Sequence, residues 1–196
     1  MQPIVNWGGD RFELKRQFFK LIGANFRVFD ATGNLVLFSH QKGFRLKEDI
    51  RIYADESGTR EVLNIRARQI FDFQAAYDVV DSASGQKIGA LKRKGWASII
   101  RDEWIVMDAN DAEVGKVVED SQLMALLRRF ASNLIPQNYD LLLNDGTRVA
   151  DFRQHFNPFV YWLTIDFSMD PQQRLDPRLK FAAGILLAAV EGRQAG

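Results

Sequence analysis

Short apolar or alternating runs recur along the chain, each ending near an Asp, followed by a polar turn and a second short run. The first is Phe26-Arg27-Val28-Phe29-Asp30, then Ala31-Thr32-Gly33-Asn34, then Leu35-Val36-Leu37-Phe38. The second passes from Tyr77-Asp78-Val79-Val80-Asp81 through Ser82-Ala83-Ser84-Gly85 to Lys87-Ile88-Gly89-Ala90-Leu91. A third joins residues 104–108 to 114–117 across Ala109-Asn110-Asp111-Ala112, and a looser fourth joins 139–143 to 147–150 across Asn144-Asp145-Gly146. Residues 50–53 and 61–66, on either side of Asp55-Glu56-Ser57-Gly58, behave alike. Strand-length runs joined by Gly, Asn and Asp, which tolerate turn conformations that other residues resist, predict β-hairpins. Many such hairpins at regular spacing predict a mainly β, antiparallel sandwich or barrel.

Two segments break this rhythm. Asp120 and Ser121 offer N-caps for a helix over 122–130, stopped by Pro136, with Leu123, Leu126, Leu127 and Phe130 at helical spacing. Those four are read as the face packed on the domain, with Arg128 and Arg129 on the wet side. The second helix is predicted from Pro177, capped by Asp176, to about Val190. From Phe181 to Val190 the only residue outside the apolar class is Gly184, so Phe181, Ile185, Leu186, Leu187 and Val190 leave no solvent face. Such a helix is buried in protein or in a membrane. At 1.5 Å per residue it spans about 21 Å, short of the roughly 30 Å hydrocarbon core. The prediction is a core helix, not an anchor.

Strand hairpins surrounding an apolar C-terminal helix resemble the tubby-like C-terminal domain, in its phospholipid scramblase and LURP-one-related branch. Three stretches carry the resemblance: residues 12–19 followed by 26–30, the hairpin from Tyr77 to Lys94 through Asp81, Gly85 and Gly89, and the helix from Asp176 to Val190. The resemblance implies a closed, many-stranded antiparallel barrel threaded by the terminal helix, with one domain over 11–196 and a flexible leader over 1–10. For function it implies less than for fold: tubby domains bind phosphoinositides, and scramblases are linked to calcium and lipid movement. The scramblases' Pro-rich leader and lipidated cysteines have no counterpart here, so lipid scrambling is not carried over.

Composition narrows the classes. The high aromatic share, with fifteen Phe, four Trp and four Tyr, suits half-buried pleated surfaces. Twenty-six basic and twenty-five acidic side chains leave a net charge of +1, so no global field draws nucleic acid or an anionic membrane. The chain has no Cys, which removes disulfides, zinc–thiolate sites and cysteine nucleophiles. The first twenty residues hold no apolar run of signal-peptide length, and the expectation is a cytoplasmic protein with no transmembrane segment.

The sharpest basic cluster is Lys87, Lys92, Arg93 and Lys94 with Trp96 beside it. Cations next to an indole suit an anionic lipid headgroup, and Arg66 and Arg68 join them if their strand lies close. The plainer reading is a solvated hairpin end whose charges discourage edge pairing. Asp108, Asn110 and Glu119 fall at positions 1, 3 and 12 of a calcium loop, but Ala112 and Glu113 fail positions 5 and 6. Asp108 is therefore read as turn chemistry, and no metal or other cofactor is expected. His40 and His155 are far apart and need a pocket joining one of them to carboxylates before catalysis is in question. No nucleophile elbow or phosphate loop is present. The expectation is a non-catalytic binding module, its partner an anionic lipid surface. The alternative is a protein-interaction scaffold, favoured if Phe156, Phe159, Tyr161 and Trp162 prove exposed.

Overall fold

Among the described residues, the alternation read from the sequence becomes twelve strands closed into one antiparallel barrel, followed by a C-terminal helix that packs inside it. A computed structural model describes residues 5, 7–19, 23–41, 49–68, 76–94, 103–120, 136–157 and 159–191. β1 (Arg11–Phe19), β2 (Gly23–Asp30) and β3 (Leu35–Gln41) lead into the short β4 (Ile50–Tyr53). Then come β5 (Glu61–Ala67), β6 (Ala76–Asp81), β7 (Lys87–Arg93) and β8 (Glu103–Asp108). β9 (Glu113–Glu119), β10 (Asn138–Leu143), β11 (Arg148–His155) and β12 (Tyr161–Asp166) complete the wall, and α1 (Pro177–Glu191) follows. Every strand pairs with its neighbours in sequence, and β1 pairs with β12. The ladder runs through all twelve described strands, with β3 meeting β4 at the single register pair Phe38–Tyr53. The helix predicted over 122–130 lies outside the described residues.

The meander gives the barrel two unlike ends. Residues 31–34, 54–60, 82–86, 109–112 and 144–147 turn the chain at one end, called here the turn end. Each of these turns is knotted by a carboxylate. Asp30 Oδ1, for example, accepts the N–H groups of Thr32 and Asn34, both at 2.9 Å. Gly85 takes φ of 70° in one turn, and Asp111 takes 66° in its sister. That is the left-handed region Gly enters freely and Asp more readily than most side chains. The opposite end is where β11 and β12 are joined through residues 156–160 and where α1 terminates.

Inward positions on adjacent strands share rows, as where Leu14 lies between Val28 and Leu163, all three essentially inaccessible. The rows close on α1. Phe181, Ile185, Leu186 and Leu187 are each 2 % exposed or less, and each burial contributes about 1.5–3 kcal/mol. The side chain of Val190 lies outside the described residues. Small residues let helix and wall approach. A Cβ on Gly184 would sit 2.8 Å from Ile165 Cδ1, and one on Gly89 would sit 2.4 Å from the Met107 carbonyl oxygen.

Both helix ends are tied down. Asp176 Oδ1 accepts the N–H of Arg178 at 2.9 Å as an N-cap. At the other end the buried Arg16 donates from Nη1 to the carbonyls of Ala188 (2.7 Å) and Ala189 (3.3 Å), placing a cation where the helix dipole favours one. Val5 and Trp7, placed by the sequence in a leader, pack into the core; the Trp7 ring meets Phe181 edge-on with centroids 5.6 Å apart. Among the described residues no helix is long and apolar enough to cross a membrane.

Candidate functional site

The barrel separates the basic cluster read from the sequence. Lys87 opens β7, while Lys92 and Arg93 close it, some five residues or about 17 Å further on at strand rise. The Lys87 ammonium is committed: it lies 2.7 Å from Asp111 and 3.4 Å from Asp78. Arg68 joins this network, 2.6 Å from Asp78 and in contact with Asp111. The Lys87 ammonium, and after it Arg68, hold the Asp111 carboxyl below its ordinary range. Lys92 pairs in register with Ile105 on the outer face, and Arg93 with the buried Trp104 on the inner one. Lys94 is exposed and reaches Glu103 at 3.1 Å. Lys92 makes no ion pair among the described residues, and Trp96 lies outside them. The cluster is thus two groups, one locked in a network and one at the end opposite the turns.

At that same end stands an aromatic pair. Phe156 is 61 % exposed and Phe159 is 86 % exposed, at the tip of the β11–β12 hairpin. Asn157 Oδ1 accepts the N–H groups of Phe159 (2.9 Å) and Val160 (3.0 Å), turn chemistry to which an Asn side chain is well suited. Tyr161 is buried and Trp162 half-buried. Of the four aromatics named from the sequence, the two on the tip carry the exposed area.

Below the tip, side chains from β11, β12 and β1 form a chain on the outer face. His155 Nε2 lies 2.6 Å from Thr164 Oγ1, and that hydroxyl donates to Glu13 Oε1 at 3.0 Å. The other carboxylate oxygen of Glu13 accepts the indole N–H of Trp162. The imidazole lies over Trp162, with ring centroids 4.4 Å apart. His155 is therefore linked to a carboxylate, whereas among the described residues His40 meets Asn25 on the neighbouring strand. Neither histidine lines either of the recesses described here. The chain fixes the orientation of the imidazole ring.

Beside Glu13 a groove of about 580 Å³ runs along the outer face of β1 and β2, lined by Arg11, Glu13, Lys15, Phe29 and Asp30. The Lys15 ammonium is held over two rings, 5.2 Å from the centroid of Trp162 and 5.6 Å from that of Phe29. Neither Arg11 nor Lys15 makes an ion pair among the described residues. The two carboxylates are occupied, Glu13 by β12 and Asp30 by its own turn, where the Thr32 hydroxyl leads in holding its carboxyl low. Sequence reading missed this groove because local spacing shows neither the β1–β2 register that sets Glu13 beside Phe29 nor the closure that brings Trp162 of β12 to Lys15. The one local signal was the alternation Arg11, Glu13, Lys15, which marks a polar outer face and nothing more.

A second, smaller recess of about 140 Å³ lies at the turn end, between Trp7, Phe167, Asp170 and Lys180. Lys180 and Asp170 form an ion pair of 2.9 Å with both side chains 1 % exposed. The partial calcium-loop spacing resolves into turn chemistry. Asp108 Oδ1 accepts the N–H groups of Asn110 (2.8 Å) and Ala112 (2.9 Å), while the buried Glu119 lies at the far end of β9. Among the described residues no three His, Asp or Glu side chains are grouped to hold a metal.

A closed antiparallel barrel around one buried apolar helix, with its exposed chemistry on one end and one flank, defines the class as a tubby-like barrel. The family model described as LURP-one-related matches residues 10–187, and the chain belongs to that family. No curated protein matches the chain.

Proposed function

We propose that the protein is a non-catalytic binding module whose end opposite the turns docks on a surface of anionic phospholipid. The observation that carries this reading is the pair Phe156 and Phe159, exposed at the end where β7 brings Lys92 and, just past it, Lys94. Exposed rings alone suit the protein scaffold as well, and the cations at the same end favour lipid. With its described strands paired around the ring, the barrel would meet its partner through side chains at this end. Two inserted Phe rings would contribute about 3–6 kcal/mol at 1.5–3 kcal/mol each. Each cation held near an anionic surface adds about 1 kcal/mol. The sum suits reversible attachment.

Co-sedimentation with vesicles of phosphatidylcholine, with and without phosphatidylserine, tests the reading across salt and calcium. Binding to the anionic vesicles is expected to weaken with salt, on replacing Lys92, Arg93 and Lys94, and on Phe159→Ser. A protein that stays in the supernatant with anionic vesicles at low salt has no lipid role of this kind. The protein-interaction scaffold is then the better reading.

A further inference from the structure

We infer that the groove along β1 and β2 binds an extended acidic segment of a partner protein, with two carboxylates four residues apart and an apolar residue midway. This site is separate from the end proposed for lipid, since the groove runs along the flank toward the turn at 31–34. Arg11 and Lys15 project on the same face of β1 with Glu13 between them, and Glu13 pairs in register with Phe29. Four strand residues separate the two cations, about 13 Å at strand rise. An extended ligand has the same rise, so its residues i and i+4 fall opposite Arg11 and Lys15, and i+2 falls on the Phe29 ring.

The charges favour sparse carboxylates over a nucleic-acid backbone. Glu13 and Asp30 stand within the groove, and a closely spaced phosphate chain would run over both. A ligand with a neutral centre avoids them. The uncommitted charge is cationic, because Glu13 is drawn toward β12 by Trp162 and Thr164 and Asp30 is bound into its turn. Arg27, the next cation outward, is already paired with Glu56 at 2.6 Å and with Gln17 at 3.0 Å. Lys15 is pre-positioned by its two rings, which reduces the ordering cost of binding.

The test is fluorescence anisotropy of a labelled peptide, Gly-Ser-Glu-Thr-Leu-Thr-Glu-Ser-Gly, with the full-length protein at low salt. A scrambled peptide with adjacent Glu residues, a Leu-to-Ser peptide and an oligothymidylate serve as comparisons. The patterned peptide is expected to bind at least roughly fivefold tighter than each comparison. Arg11→Glu and Lys15→Glu, both on the exposed face, are expected to weaken it roughly fivefold each, and the double variant to abolish it. The double variant is also expected to keep its circular dichroism, its melting temperature and its vesicle binding. No binding of the patterned peptide, equal binding of the scrambled one, or a preference for oligothymidylate would each overturn the proposal. Loss of vesicle binding in the double variant would overturn the separation of the two sites.

Discussion

Removing the Asp170 carboxylate should destabilise the protein more than any surface charge substitution, because it strands a buried ammonium. Lys180 lies in the first turns of α1 with 1 % of its side chain exposed. Among the described residues its hydrogen-bonded counter-charge is Asp170 Oδ2 at 2.9 Å, and the Phe167 ring lies 4.7 Å from the ammonium. Breaking such a pair on one side costs about 3–5 kcal/mol. At about 2–4 °C per kcal/mol for a chain of this length, Asp170→Ala should lower the melting temperature by about 6–20 °C. Part of that loss is the acceptor role: Asp170 also takes the N–H of Arg174 at 2.9 Å and of Leu175 at 3.3 Å. Asp170→Asn keeps an acceptor there and isolates the charge. Lys180→Met should be milder, since those two N–H groups still hold the carboxylate. The double variant Asp170→Leu/Lys180→Met should recover most of the loss, because an apolar replacement of a buried pair is often neutral. The assay is a double-mutant cycle by urea and thermal denaturation at pH 7. Burial pushes the Asp170 carboxyl up, but the Arg174 N–H, the Lys180 ammonium and the Leu175 N–H outweigh it and leave it below its ordinary value. The native carboxyl is thus the stronger acid, so its contribution is complete above the unfolded value near 3.9 and fades only as pH falls through the folded one. At pH 7 it is fully present. A double variant as unstable as the sum of its single variants would refute the coupling.

Three further outcomes are expected. Ile185→Asp or Leu187→Asp buries an unpaired charge in the barrel and should abolish folding, whereas a soluble, cooperatively melting variant would show that α1 is not core. Gly89→Ala sets a Cβ 2.4 Å from the Met107 carbonyl oxygen, a backbone atom that cannot rotate away, and should cost about 1–3 kcal/mol by urea denaturation; parental stability would contradict that contact. The Asp55 carboxyl, held at about 2 first by the Ser57 hydroxyl and then by Arg60, should titrate near 2 in a carbon-13 NMR series, its help to the turn complete above about 3.9 and lost as pH falls toward 2. A midpoint near 4 would show the turn to be open in solution.

The hairpin rhythm and the nature of α1 were legible along the chain because both are local. An Asp before a Gly- or Asn-bearing turn takes its own backbone N–H groups whatever surrounds it, as Asp30, Asp81 and Asp108 do. A helix apolar on every side must be enclosed, and its 15 residues are too few to cross a membrane. Closure and sites are another matter. Trp162 and Glu13 are 149 positions apart, and only the pairing of β1 with β12 makes them neighbours. The same closure brings Trp162 to Lys15 at the groove, whose other members come from the β1–β2 hairpin, and draws His155 into line with Glu13 through Thr164. It also divides a run of cations that looks continuous on paper: Lys87 to Lys94 spans a whole strand, and the charge at its start is spent on Asp78 and Asp111. Turn chemistry and periodicity act within a few residues, so they are written in the sequence. Which outer-face side chains share a row depends on the register of distant strands, and that was decided only when the barrel closed.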